Sequence, residues 1–244
     1  MKNFSNFNTG FYKETPILDP KKMVAWKKEK KIYNFKIVPK IAIISAVNCF
    51  SKKELFFLKK IKGFNASAYL FKNVLLVLNI GVGAPSVIAL MEELKALGVK
   101  KFFFFGYGGR LDNNINSGKV FKISEAYSLS GTSFFYQKES FISYKTDLHE
   151  KINLDEIKVL SVDAPFRETK SLLNEYKSKN VGLVDMETAA ILAFGKFYDI
   201  PVCTVLVAAD LLLPKWQPPE NQNKSSKEIK KLILNCTSNF ENYS

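Results

Sequence analysis

The sequence predicts an α/β protein: a single-domain, three-layer fold in which a mixed, largely parallel central sheet is flanked by helices. Three observations carry this. Apolar runs too short to be helices recur along the chain, as buried strands do. Helical patterns stand between those runs, as the crossovers of parallel strands require. The chain has 244 residues and 47% apolar content, enough for one large domain with a sizeable core.

Taken in order, residues 1–40 are polar and lysine-rich with prolines at Pro16, Pro20 and Pro39, and they read as an N-terminal arm with one short helix around "KKMVAWKKEKK". The α/β domain is expected over 41–244. "IAIISAV" (41–47) and "VLLVLNI" (74–80) are strands. The clearest helix is "APSVIALMEELKALG": Pro85 suits its first turn, Val87, Leu90, Met91, Leu94 and Leu97 repeat at helical spacing, and Gly98 can end it. "KKFFFFG" (100–106) follows at once as a strand, which makes 74–105 a βαβ unit. A second unit has the same plan, with "VGLV" (181–184) as strand, "METAAILAFGKFYD" as helix and "IPVCTVLVAA" as returning strand after Pro201. A crossover brings the chain back to the edge it left, so Glu187 at the helix start and Asp210 past the last strand become neighbours. The glycine-rich stretches "GVGAPS" (81–86) and "GYGGR" (106–110) belong to the same carboxyl edge, where open α/β sheets bind ligands.

Composition narrows the function classes. A formal charge of +13 raises nucleic acid or an anionic partner, but only Arg110 and Arg167 among the 36 basic residues are arginine, and the lysines are scattered as on a solvated face. Nucleic-acid readers draw on arginine for its planar fork, so nucleic acid is disfavoured as a partner. No apolar run reaches the roughly 18–20 residues of a membrane span, and the N-terminus lacks a signal-peptide pattern, so no membrane role and a cytoplasmic location are expected. Cys49, Cys203 and Cys236 are odd in number and widely spaced, and suggest neither a disulfide framework nor a zinc site. His149 is the only histidine and reads as a surface residue in polar "KTDLHEKIN"; no metal site and no Ser-His-Asp triad is expected.

Each motif has a plain reading beside a functional one. "GVGAPS" has Ser86 where a dinucleotide fingerprint carries its third glycine, and serves either as a tight strand-to-helix turn or as a backbone contact to an anion or ribose. "GYGGR" needs close approach of the backbone to something, or forms a bulge. In "VDMETAA" (184–190), Asp185 suits a helix start, whereas Glu187 is less well explained that way. Asp210 lies between "VLVAA" and "LLL", a setting that raises a carboxyl pKa toward that of a general acid unless a cation pairs with it; a capping or salt-bridged aspartate is the plain alternative.

The order "GVGAPSVIALMEEL", "GYGG", "GTSFFY" (131–136), "VDME" and then Asp210 resembles the nucleoside phosphorylase and nucleosidase superfamily, of the purine nucleoside and uridine phosphorylase type, over about residues 41–217. The resemblance implies cleavage of a nucleoside N-glycosidic bond, purine favoured. It implies that Met186 packs on the ribose, that Glu187 grips its 2′ and 3′ hydroxyls, and that Asp210 protonates the purine at N7. From "DAPFRET" (163–169) it implies Phe166 and Arg167 beside the base, with Gly108 near them. Gly83, Tyr107 and Arg110 fall on the side of the phosphate or other nucleophile.

The sequence departs from the family there. Phosphorylases carry a "GDPxR" type loop after the first core strand, where this chain has "SAVNCFSKK" without arginine, and Phe104 and Tyr107 stand where an arginine and a Ser or Thr are expected. The nucleosidase branch places a water-activating glutamate on that loop, where only Glu54 is near. Phosphate as co-substrate, hydrolysis by water and a catalytically silent nucleoside-binding protein all stay open. No cofactor is expected, the partner is a small-molecule nucleoside, and the resemblance implies a homodimer or homohexamer.

Overall fold

The four apolar runs are strands of one mixed sheet. The computed structural model describes residues 14–220 and 222–239; the start of the expected arm, 1–13, and the end of the expected domain, 240–244, lie outside the described residues. The first half of the chain forms α1 (Pro20–Glu29), β1 (Ile41–Ser45), α2 (Lys52–Phe56), β2 (Lys59–Ile61), β3 (Ser67–Phe71), β4 (Val74–Leu78), α3 (Ala84–Leu97) and β5 (Lys101–Arg110). Next come β6 (Val120–Ile123), β7 (Glu125–Leu129), β8 (Phe141–Ser143), α4 (Asp147–Glu150), β9 (Lys158–Val162) and α5 (Lys170–Lys177). The last elements are β10 (Val181–Asp185), α6 (Thr188–Tyr198), β11 (Val202–Leu211) and α7 (Gln222–Asn239).

The sheet runs β2-β3-β4-β1-β5-β10-β9-β7-β8, and β11 branches off β5 to pair also with β6. β1 lies parallel between β4 and β5, so β4, α3 and β5 form the expected βαβ unit with one strand inserted. Period-2 alternation makes the layers. Ala42, Ile44, Phe102, Phe104 and Leu206 point to one face and meet α3 and α6. Ile41, Ile43, Phe103, Phe105 and Val205 point to the other and meet Ile229, Ile233 and Cys236 of α7. A third cluster packs Leu173 and Tyr176 of α5 on Leu160 and Val184 of the β9–β10 pair. Four consecutive phenylalanines are therefore wholly buried, two on each side of the sheet.

α3 begins at Gly83 with φ of 94° and ends at Gly98 in the left-handed region, as its glycines require. α1 docks on it. Lys27 Nζ donates to Glu93 Oε1 at 2.7 Å, and the Tyr33 hydroxyl donates to the same oxygen at 2.5 Å.

Two expectations need correction. The second unit is not a pair of adjacent parallel strands: β11 runs parallel to β5, whereas β10 meets the far end of β5 antiparallel, with Val184 opposite Gly109 and Leu183 opposite Arg110. Both strands still finish beside the "GYGG" segment, so the predicted meeting of Glu187 with Asp210 survives through β5 rather than through a crossover. His149 is fully buried instead of exposed. Its Nδ1 accepts the Thr146 N–H at 3.1 Å, leaving Nε2 to donate to Ile123 O at 3.0 Å, and burial lowers its pKa. It is a neutral, satisfied residue that caps α4.

Candidate active site

Where β1, β4, β5, β10 and β11 end, the chain leaves a cavity of about 840 Å³. The glycines of "GYGG" let strands close on it. A Cβ at Gly108 would come 3.2 Å from Leu183 Cβ, and one at Gly109 would come 2.8 Å from Leu212 Cδ1. The stretch thus serves close approach of β10 and of the segment after β11, while Tyr107, Gly108 and Gly109 also face the cavity.

The turn from β10 into α6 forms one wall. Asp185 is buried at the end of β10 and ties the turn together: Ser161 Oγ donates to its Oδ1 at 2.5 Å, and the Thr188 N–H and hydroxyl donate to its Oδ2 at 2.9 and 2.5 Å. Burial raises its pKa while these bonds pull it down. The expected helix start thus sits two or three residues later, with Glu187 as N-cap and Asp185 as the buried anchor of the turn. Glu187 faces the cavity beside Met186. Its Oε1 accepts the Gly83 N–H at 2.7 Å and its Oε2 accepts the Met186 N–H at 3.2 Å. Burial, and then the charge of Asp185, raise its pKa. Each oxygen keeps a further lone pair for hydroxyl groups of a ligand.

The opposite wall is the end of β11. Asp210 faces the cavity, and Trp216 Nε1 donates to its Oδ2 at 2.8 Å. Arg110 lies behind this wall rather than in the cavity. It is buried, with Nε donating to Ala209 O at 2.9 Å and Nη1 to Ile115 O at 2.8 Å, so it holds the backbone from which Asp210 projects. Gly83 contributes its N–H to Glu187 but does not itself line the cavity; its neighbours Gly81 and Val82 do. The segment 165–168 reaches over the mouth. Phe166 lines it with a side chain that is 100% exposed and hence has nothing among the described residues to pack on. Arg167 is exposed and does not line the cavity, whereas its neighbour Glu168 does.

Two lining residues escaped sequence reasoning. Trp216 carries the donor to Asp210; its signal was its rarity, one of two tryptophans, six residues past that aspartate. Glu168 precedes Thr169, the N-cap of α5, and a residue at that place turns with the cap. Glu54 is elsewhere: it pairs with Lys230 and closes a capping box with Ser51 on α2.

The electrostatics run against the charge of the whole protein. Asp185, Glu187, Glu168 and Asp210 all line the cavity, and no lysine or arginine does among the described residues. No cluster of His, Cys, Asp and Glu among the described residues is arranged to hold a metal ion, and no helix there is long and apolar enough to cross a membrane.

Comparison with known proteins gives this geometry a context. An uncharacterized protein of Acanthamoeba polyphaga mimivirus is 27% identical over 134 residues, covering 53% of this chain and 54% of that protein. A guanosine phosphorylase of Halorubrum lacusprofundi is 25% identical over 146 residues, covering 54% of this chain and 60% of that protein. The chain spans little more than half the length of the curated relatives it matches. The family model of the phosphorylase superfamily matches residues 46–238, from the turn that leaves β1 into the last turns of α7. The match takes in every wall of the cavity, and the chain belongs to the phosphorylase superfamily.

Proposed function

We propose that the protein cleaves the N-glycosidic bond of a nucleoside, with a purine as the favoured base, and passes the ribosyl group to phosphate. The observation that carries this reading is the convergence of Met186, Glu187 and Asp210 on one cavity from two different strand ends. The bond breaks through a ribosyl cation, so an enzyme must hold the sugar, neutralise the departing base and leave one face of C1′ open. Glu187, oriented by two backbone N–H groups, accepts the 2′ and 3′ hydroxyls and places a negative charge near the developing cation. Met186 supplies the apolar contact below the ring. Asp210 delivers a proton to N7 as the bond opens, and Trp216 fixes which oxygen faces the base. Phe166, at the mouth, can cover the base, with Gly108 behind it. Tyr107 and the loop through Asn48 border the open face.

A second reading has a specific observation in its favour. A phosphate dianion among four carboxyl groups, with no lysine or arginine lining the cavity among the described residues, gains little Coulomb attraction. Water has no such difficulty, which favours hydrolysis by the same sugar and base contacts. The guanosine phosphorylase relative supports phosphate instead.

Purified protein incubated with a panel of purine and pyrimidine nucleosides, with and without phosphate, separates the readings by analysis for free base. Release that requires phosphate identifies a phosphorylase, and release without it a nucleosidase. No release, with thermal stabilisation by nucleosides, identifies a binding protein and overturns both. Size-exclusion chromatography with light scattering tests the homodimer or homohexamer that family membership suggests.

A further inference from the structure

Two neighbouring phenylalanines stand in the open on a part of the surface that forms no wall of the cavity. Phe56 ends α2 and Phe57 caps it, and they are 82% and 75% exposed. Leu55 and Leu58 beside them pack on the second core cluster, so α2 is docked and the two rings are left outside. The rings meet edge to face, with centroids 5.6 Å apart and planes at 85°, and form one apolar knob. The sequence around them, "KKELFFLKKIK" (52–62), holds five lysines and one glutamate. Every one of these lysines is exposed. The glutamate, Glu54, is taken by Lys230 of α7 and by the capping box with Ser51, so no ion pair among the described residues offsets the lysine charges. The outer edge of β2 is closed by the arm: Asn34 Nδ2 donates to Lys60 O at 3.0 Å, and Asn34 Oδ1 accepts the Lys62 N–H at 2.8 Å. A strand added there would have to displace Asn34, which leaves side chains as the means of binding. The same contact brings the exposed Lys31 and Lys36, and Ile37 at 85% exposure, to this edge.

We propose that this knob and the lysines around it are a docking surface for an anionic lipid bilayer, on which the protein lies without crossing it. The two rings enter the boundary between headgroups and acyl chains, while the lysines meet lipid phosphates and the negative potential of the surface. The expected lack of a membrane role concerned spans of roughly 18–20 residues, and a surface contact needs none. A formal charge of +13 draws the whole protein toward such a surface, and the unpaired lysines beside the knob orient it there. Other occupants fit less well. Nucleic acid is bound through arginine forks and open ring faces, whereas residues 52–62 hold no arginine and the edge of one phenylalanine closes a face of the other. A second copy of this chain, meeting this patch about a two-fold axis, would bring lysines against lysines. Protein interfaces in general use lysine sparingly.

The test is co-sedimentation of the purified protein with vesicles of phosphatidylcholine alone and with vesicles in which about a third of the lipid is phosphatidylglycerol. At low ionic strength, binding to the anionic vesicles should exceed that to the neutral ones on the order of tenfold or more, and it should fall as salt screens the lysines. Phe56→Ser/Phe57→Ser should lower that binding on the order of tenfold by removing the inserted rings. Lys59→Gln/Lys60→Gln should lower it and weaken its salt dependence. Both variants should melt with the wild type, because the side chains they change are exposed. No preference of the wild type for anionic vesicles, or equal binding by Phe56→Ser/Phe57→Ser, overturns the proposal. Binding to single-stranded DNA that Phe56→Ser/Phe57→Ser loses while its vesicle binding is unchanged assigns the patch to nucleic acid and overturns it as well. So does a wild-type oligomer, seen by light scattering, that falls apart in that variant, since the patch then belongs to a second copy of the chain.

Discussion

Ser161→Ala tests the claim that a buried hydrogen-bond set, and not helix propensity, presents Glu187. The Ser161 hydroxyl is fully buried. It donates to Asp185 Oδ1 at 2.5 Å and accepts the Ala189 N–H at 2.9 Å, so its removal strips two groups at once. A buried polar group left without its partner costs about 1–3 kcal/mol, toward the upper end for a carboxyl and toward the lower for an amide. The Ala189 N–H belongs to the first turn of α6, whose early N–H groups have no partner within the helix, so nothing else in that turn replaces the hydroxyl. The sum is about 3–4 kcal/mol, a large share of the roughly 5–15 kcal/mol that holds a domain folded. Urea unfolding of wild type and variant gives the difference as a lowered midpoint with an unchanged slope. Nucleoside cleavage, measured well below the transition, should fall together with nucleoside affinity, because the turn that carries Met186 and Glu187 loses its anchor. A loss below about 1 kcal/mol with full activity would refute the reasoning, since it would mean that Asp185 and Ala189 find other partners.

Further expectations concern the reacting groups and the packing beneath them. Asp210→Asn should lower kcat on purine nucleosides about 100-fold or more and change nucleoside affinity little, as removal of a general acid does; equal loss in both would show a binding role instead. Glu187 has a raised pKa, so its ionised, hydroxyl-accepting form is lost at higher pH than an ordinary glutamate would lose it. Nucleoside affinity should weaken as pH falls below neutral, and a titration of Glu187→Gln should lack that step. Trp216→Phe should keep the fold, since the ring is largely exposed, and should lower kcat by freeing the carboxyl it holds; thermal melting and steady-state rates check both. Gly195→Ala puts a Cβ 2.7 Å from Val202 Cγ2 and 2.8 Å from Tyr144 Cε1, and overpacking of this kind costs about 1–3 kcal/mol. Chemical denaturation should show that loss with the activity of the folded fraction unchanged.

Much of the fold could be read from local pattern. The runs at 41–47, 74–80 and 202–209 carry the strands β1, β4 and β11 because they are almost wholly apolar and too short for helices, and Pro85 and Gly98 bracket α3 as a helix start and stop should. Strand neighbours could not be read that way. Nothing in "VGLVD" says that it meets β5 antiparallel, because that pairing depends on β5 continuing through its glycines to Arg110. His149 failed for a related reason: its polar surroundings in sequence are exposed, while its ring turns inward to a carbonyl on β6. In the candidate site, Met186, Glu187 and Asp210 were legible because a short motif and one strand end carry them. Arg110 stood out by its rarity, but its hydrogen bonds to Ala209 and Ile115 could be seen only once those carbonyls had a place. Glu168 and Trp216 matter through neighbours that are distant in sequence, and a single sequence does not record those distances.

The ten residues of β5 also bear on how the protein reaches its folded state. Its partners are β1, about 60 residues earlier, and β11, whose Val202 lies opposite Phe102, a hundred residues later. Closing such long loops must be paid for in chain entropy before the pairing returns anything. β11 is also the strand that delivers Asp210, so the cavity can form only after most of the chain has been synthesised and the sheet has closed around β5. A nascent or truncated chain ending before residue 202 would carry Glu187 without its counterpart, and would leave Phe102–Phe105 as an open strand edge for other chains to join.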